Sequence, residues 1–380
     1  MRVGIVGAGV AGLTLAALLR RQGRAVEIID RDPAFGPNGY ALMAYPLGSG
    51  VLHGLGLYDA FRAQGMAFTT FSLADAAGRT IEDHDLGELT EHVGPMVSLR
   101  RPLLLELLHE AADPRSVRWG ATVTSVEDGP REVSVGTSDG ERAAFDVLIA
   151  ADGMHSTTRR LLFGDDGAVR PTRHVMDVWW GPEGLSPPEH VTEWWGAGRV
   201  AAVCPVPGAV QCSVIVPASQ DDPTVPRERV LRALDGFGGP ALDPMRASVA
   251  DADAGAIYRW PLHDVRTRAW TRGGRAALLG DAAVGFLPTA GIGASSAMLG
   301  AAILADELSR VDAAHVPHAL ALYQQRARPL VELHQDESRR FGRAMLLDST
   351  AGVHVRDELL RHVGASRLLG RLLASMRAPV

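Results

Sequence analysis

The sequence predicts an α/β fold: a sheet of buried strands wrapped by helices, a mainly antiparallel β-sheet domain, and C-terminal helices. Three observations predict it. Short, branched, apolar runs at residues 3–6, 26–29, 147–151 and 276–279 read as strands buried on both faces. Residues 171–261 change to strand-like alternation with prolines and paired tryptophans. Helical periodicity dominates beyond residue 293.

The first element sets the frame. Val3, Ile5 and Val6 run directly into Gly7, Ala8, Gly9, Val10, Ala11 and Gly12, which is G-x-G-x-x-G between a strand and a helix. Gly7 permits the tight turn, Gly9 lets backbone approach a pyrophosphate, Gly12 lets the helix lie close to the strand, and the N–H groups at the helix N-terminus favour an anion. Leu13, Leu15, Ala16, Leu18 and Leu19 carry the helix to Arg20 and Arg21, and Gly23 ends it. Val26, Ile28 and Ile29 form the next strand. Asp30, at its end, is placed to accept from a ribose hydroxyl. This Rossmann-like unit holds a dinucleotide and does not say which.

Residues 31–39 form a polar loop, and residues 40–61 carry a helical apolar pattern that includes His53. Residues 68–73 and 80–85 read as short strands about the Ala77-Gly78 turn, before a charged loop. Arg100 and Arg101 precede a leucine-rich helix. Cations at a helix start are poorly placed for its dipole, so an anionic partner and plain surface exposure weigh equally there. Residues 122–127, 132–137 and 143–151 read as three strands, the last ending abruptly at Asp152-Gly153 with Ser156 and Arg159 beyond. A carboxylate at the carboxyl end of a buried strand lies where open α/β sheets bind ligands.

The alternating region contains Trp179, Trp180, Trp194 and Trp195, a hairpin over 199–216 turning at Pro207-Gly208, a short helix over 227–234, and a strand over 258–262. One tryptophan of each pair faces each side of the sheet, so one of each is placed to line an apolar pocket, although core packing is the commoner fate. The chain then returns to a buried strand ending at Gly280-Asp281. Pro288, Gly291, Ile292 and Gly293 follow and feed an alanine-rich helix to Leu308, a second helix N-terminus suited to an electron-rich ligand. Residues 316–343 read as a long helix and residues 359–376 as an amphipathic one that packs on its own core.

Composition excludes several classes. The 380 residues supply two to three domains' worth of chain, 46% hydrophobic, with a net charge of −6 that favours no nucleic acid. No apolar stretch reaches the roughly 18 residues needed to cross a bilayer, and the N-terminus is a structural strand rather than a leader, so the expectation is a soluble, cytoplasmic protein with no integral membrane segment. Cys204 and Cys212 are too few for a disulfide framework or a cysteine-rich metal site; no metal is expected. All 38 basic residues are arginine, which excludes lysine-dependent chemistry.

With these motifs in this order, the chain resembles the class A FAD-dependent monooxygenases typified by para-hydroxybenzoate hydroxylase, over nearly its full length. The resemblance implies that Gly7, Gly9 and Gly12 hold FAD, that Asp30 takes the adenosine ribose, Arg31 the adenine side, and Val123 the adenine by its backbone. It implies Arg101 near the phosphate or ribityl region, Asp152 in a motif shared by FAD and NAD(P)H, Asp281 on the ribityl chain, and Pro288, Gly291, Ile292 and Gly293 facing the isoalloxazine. Trp179, Trp194 and Pro288 are the expected substrate contacts. No catalytic acid or base is demanded by the scheme; Tyr45, His155 and Tyr258 are more simply structural.

The function so implied uses NADPH or NADH and O2 to hydroxylate or oxygenate a small aromatic or polyketide-like substrate through a flavin C4a-hydroperoxide, with the hard chemistry carried by the cofactor. A dehydrogenase or reductase acting without oxygen transfer, and a non-catalytic FAD-binding protein, are the alternatives. A halogenase is disfavoured by the missing lysine and by the spacing of Trp179-Trp180-Gly181-Pro182. The expected organisation is a discontinuous FAD-binding domain over 1–70, 96–170 and 265–345, a substrate domain over 71–95 and 171–264, and a C-terminal helical segment over 346–380. Three positions depart from the family pattern: Val284 in place of His, and Ile292 and Ser295 within Gly-Gln-Gly-x-Asn. They bear on the flavin's surroundings rather than on its binding.

Overall fold

A strand apolar on both sides belongs in the middle of a covered sheet, and that is where the strand Arg2–Val6 lies. The computed structural model describes residues 1–364 and 370, apart from 37–38, 92–93, 165–167 and 253. Five parallel strands stand in the order Ala276–Leu278, Val147–Ala150, Arg2–Val6, Ala25–Ile29 and Val117–Arg118. The helices Val10–Arg21 and Gly293–Ser309 pack on each other over one face. Leu13, Leu15, Leu19, Leu299 and Leu304 are buried there. The other face is covered by an antiparallel sheet of Val123–Asp128, Val133–Thr137 and Arg142–Phe145, with Val133, Val135 and Phe145 against Val6 and Ile29.

The expected single strand over 143–151 is two strands in two sheets. Asp146 separates them: its N–H donates to the Arg2 carbonyl, and its carboxylate accepts from the Arg2 N–H at 2.6 Å. Residues 40–61 also differ from expectation. They form the strand Ala41–Ala44 and the helices Pro46–Gly54 and Tyr58–Gln64. Pro46 pushes Tyr45 into extended backbone (φ −83°, ψ 162°) and then starts the helix, so the apolar pattern before it belongs to a strand. The charged stretch after residue 85 includes the short helix Leu86–Thr90, capped by the Asp85 carboxylate on the Gly87 N–H.

The alternating region builds an eight-stranded sheet in the order Val284–Gly285, Tyr258–Arg266, Val169–Gly181, Ala209–Pro217, Val200–Val206, His190–Trp195, Thr70–Asp75 and Thr80–Asp85. All its pairs are antiparallel except His190–Trp195 with Thr70–Asp75. Because side chains alternate, its two faces have separate cores. On one face Trp179, Trp194, Val203 and Val214 pack against Val230, Leu234, Met245 and Val249 of the helices Pro226–Leu234 and Asp243–Asp251. On the other, Phe71, Val191, Trp195 and Ile215 join the main core. A small sheet, Ala41–Ala44, Met96–Arg100 and Met66–Phe68, lies on that side; Ser98 donates from it to the Pro205 carbonyl at 2.6 Å.

The long helix Val316–Met345, which contains Pro329, buries Ala319, Tyr323, Val331 and Phe341. The helix Thr350–Val363 follows, and Arg356 within it donates to the Trp195 carbonyl at 3.2 Å. Of the amphipathic stretch expected over 359–376, residues 365–369 and 371–376 lie outside the described residues.

Candidate functional site

The three glycine-bearing motifs, far apart in sequence, meet at the carboxyl edge of the parallel sheet. Gly7 has φ +106°, and a Cβ there would stand 2.4 Å from the Ala151 carbonyl oxygen, so only glycine lets the fingerprint turn touch the second strand end. Gly280 has φ +59°, and a Cβ there would come within 2.7 Å of the Ala11 Cβ. The residue that opens the third motif is thereby seated on the fingerprint helix. At Gly9 a Cβ would meet nothing within 4 Å: space is left in front of the turn. Gly12 is buried behind it.

Two helices that pack on each other begin in this region without side-chain caps. The helix Val10–Arg21 begins after Gly9 and the helix Gly293–Ser309 after Ile292, and neither has an acid in its first turn. Their first N–H groups keep their capacity to donate, together with the positive end of each dipole. Asp30 stands beside the first: its carboxylate accepts from the Ala8 N–H at 2.6 Å and the Asp32 N–H at 2.8 Å. The Asp30 carbonyl accepts from the Ala121 N–H, which brings the start of the strand Val123–Asp128 alongside. Arg31 is exposed at the same edge, and Val123 is buried.

The strand-end aspartates have different surroundings. Asp152 is fully engaged by its own helix: it accepts from the Ser156 hydroxyl, from the Thr158 N–H at 3.0 Å and from the Thr158 hydroxyl at 2.9 Å. Arg159, also buried, ties this segment to the third motif by donating to the Ala282 carbonyl at 3.0 Å and the Met154 carbonyl at 2.9 Å. Asp281 has no hydrogen bond or ion pair among the described residues. Burial pushes its carboxyl up to about 6, against the pull of the nearby Arg101 guanidinium. Arg101, the first residue of the helix Arg101–Ala112, lies 5.9 Å from the Tyr40 ring centroid.

The loop after Asp281 is fixed by Tyr45 and Ser295. Gly291 takes the left-handed conformation at φ +63°, after the turn Pro288–Ala290. The Tyr45 hydroxyl donates to the Ala290 carbonyl at 2.6 Å, and the Tyr45 N–H donates to the Ser295 hydroxyl at 3.0 Å. Two of the three departures therefore have a structural account: Ser295 holds Tyr45, and Val284 is buried in the edge strand paired with Arg266. Ile292 is fully buried. Pro288 itself is exposed.

Next to this loop a cavity opens toward the eight-stranded sheet. Thr289, Ala290 and Tyr45 wall one side. Phe68, Phe71, Met96 and Phe341 supply an apolar lining, and the sheet contributes Val191 and Glu193. Glu193 is the one carboxylate among the lining residues. Its Oε2 accepts from the Trp195 indole N–H at 2.7 Å, and burial pushes its carboxyl up to about 7, with that hydrogen bond opposing.

The expected substrate contacts Trp179 and Trp194 do not line this cavity. Trp179 and Trp194 belong to the opposite face, packed under the two helices, where the Trp179 indole donates to the Ser248 hydroxyl at 2.9 Å. Alternation does divide each pair, but the members turned toward the small sheet and the loop are Trp180, stacked under Arg100 at 4.4 Å, and Trp195, edge-on to Phe341 at 5.4 Å. Only the placement of the covering helices Pro226–Leu234 and Asp243–Asp251 decides which face is which. Glu193 is absent from the sequence motifs, and its one signal is an acid between Val191 and Trp195 on the apolar phase of a strand. Among the described residues no group of three His, Cys, Asp or Glu side chains is arranged to hold a metal ion, and no helix is long and apolar enough to cross a membrane.

A family model described as FAD binding domain matches residues 1–338. Aurachin C monooxygenase/isomerase of Stigmatella aurantiaca is 30% identical over 97% of this chain and 95% of its own length. The 3-amino-4-hydroxybenzoate 2-monooxygenase of Streptomyces cremeus is 33% identical over 78% of this chain and 76% of its own. In fold, the chain is similar to Klebsiella pneumoniae HpxO complexed with FAD and uric acid, with a TM-score of 0.89 at 24% identity over 99% of this chain and 96% of that one.

Proposed function

The chain belongs to the FAD-binding-domain family, within the FAD-dependent monooxygenases of the para-hydroxybenzoate hydroxylase class, and from that premise we propose how its residues hold FAD and meet a substrate. It is an oxidoreductase of the flavoprotein monooxygenase type. Asp281 carries the proposal: a carboxylate just past a buried strand, without a hydrogen bond or ion pair among the described residues, in the turn that Gly280 seats against the fingerprint helix, with the open turn at Gly9 and two uncapped helix N-termini in the same region. These features fit a long, anionic, hydroxyl-bearing cofactor. Gly7, Gly9 and Gly12 with the helix N-terminus take the pyrophosphate, Asp30 the ribose, and Arg31 and the Val123 backbone the adenine edge. Asp281 accepts from the ribityl hydroxyls, with Arg101 balancing the phosphates. Pro288, Gly291, Ile292 and Gly293 border the isoalloxazine.

Bound FAD supplies the oxygenating chemistry, with NADPH or NADH as electron donor and O2 as the oxygen source. The chain's own residues place and seclude the reactants. Tyr45 and Ser295 fix the loop, the aromatic cavity keeps water from the reacting ring, and the dipole of the helix Gly293–Ser309 favours negative charge at its N-terminus. Asp152 holds the helix Thr157–Phe163 in place and is not assigned a contact with FAD.

The test is direct. The purified protein is expected to be yellow and to release stoichiometric FAD on denaturation, and a true substrate supplied with isotopically labelled O2 gains one labelled oxygen atom. A colourless protein that takes up no FAD overturns the reading; label-free product formed without oxygen points to a dehydrogenase.

A further inference from the structure

Glu193 has no part in the cofactor arrangement, yet it stands inside the cavity beside the Pro288–Ala290 turn. Its neighbours set an unusual polarity. On the adjoining strands Leu73 and Ala202 are its paired residues, both apolar. Tyr45 and Cys204 feel its charge, and both are pushed up by burial, Cys204 to about 12, and so are neutral near pH 7. The Trp195 indole is a donor without charge, and it uses one carboxyl oxygen, Oε2. Phe341, from the long helix, and Thr289 and Ala290, from the loop, add no charge either. Arg356, the cation on Trp195, is engaged with Asp357 and with backbone carbonyls behind the indole. The cavity therefore has an acceptor and no cation among its lining residues.

Resting on the monooxygenase reading above, we propose that Glu193 selects the substrate: an uncharged aromatic molecule that presents an N–H or O–H to the Glu193 carboxylate, and not a carboxylate-bearing one. An anionic substrate would bring a second negative charge into a low-dielectric cavity where the lining hydroxyls, on Tyr45 and Thr289, already donate to the Ala290 and Ser338 carbonyls. A neutral donor instead meets Oε1, which has no hydrogen-bond partner among the described residues, whereas Oε2 is taken by the indole. The same contact allows a proton transfer that balances within the pair. The substrate's N–H or O–H bond breaks, its electron pair stays on the ring and enriches the adjacent carbons, and the proton moves to Glu193. A carboxyl held near neutrality suits that exchange.

Calorimetric titration of the FAD-loaded protein with three probes of one ring system tests this: naphthol, its methyl ether, and naphthoate. Wild type is expected to bind naphthol roughly ten- to a hundredfold more tightly than the ether, the difference one hydrogen bond to an ionisable acceptor makes, and to bind naphthoate more weakly than either. Glu193→Leu removes the preference for naphthol over its ether. Glu193→Gln, which keeps shape and the indole contact, reduces that preference and narrows the gap to naphthoate. FAD content stays stoichiometric in all three proteins, which separates this result from a failure of the monooxygenase reading. Equal binding of naphthol and ether, binding of naphthoate as tight as that of naphthol, no measurable naphthol binding, or a preference unchanged in both variants would overturn the assignment.

Discussion

Asp152 and Asp281 begin alike, each just past a buried apolar strand of the parallel sheet, yet their surroundings make them different residues. Asp152 accepts three hydrogen bonds from the helix that follows it. Asp281 accepts none among the described residues and sits where burial disfavours its charge. What separates them is the next few residues. Ser156 and Thr158 bring donors back to Asp152, whereas Ala282, Ala283 and Val284 offer Asp281 no side-chain donor. A carboxylate engaged locally holds the fold; one left open is available to a ligand.

Four experiments test that contrast. Asp281→Asn has the largest expected effect: FAD affinity falls roughly ten- to a hundredfold, by loss of charge-assisted acceptance from hydroxyls, with little change in the thermal stability of the apoprotein. Asp152→Ala is the mirror image. Unfolding in denaturant should show a loss of about 1–3 kcal/mol, while the folded fraction keeps its FAD affinity. If the two variants exchange these phenotypes, the contrast is wrong.

The third experiment uses pH. The Asp281 carboxyl is raised in the apoprotein from its ordinary 3.8 to about 6, with desolvation outweighing Arg101. Hydroxyl donation favours the anion, so FAD binding releases a proton, and affinity rises with pH. Between pH 5 and 7 the wild-type gain is about tenfold, and Asp281→Asn removes that component. A flat wild-type profile would contradict it. The smallest effect belongs to Ser295→Ala, which leaves the buried Tyr45 N–H without its acceptor. It should cost about 1 kcal/mol in denaturant unfolding and loosen the loop without abolishing FAD uptake.

Much of this architecture was legible in the sequence because short-range chemistry dictates it. The fingerprint, the acidic strand ends and the Pro207-Gly208 hairpin turn follow from local rules, and the structure has those elements where the pattern puts them. The failures have a common cause. Residues 143–151 divide at Asp146 because Arg2, distant in sequence, captures it. The tryptophan pairs alternate as expected, but which face is sealed depends on helices that pack later in the chain. Glu193 obeys the same rule: strand alternation gives a residue's phase, and only the tertiary arrangement shows what that phase faces.

The most direct test of the contrast is a crystal structure of the FAD complex. It should place a ribityl hydroxyl within hydrogen-bonding distance of the Asp281 carboxylate, with Asp152 still bound to Ser156 and Thr158. A cofactor contact made by Asp152 instead, with Asp281 turned away from the ribityl chain, would contradict it.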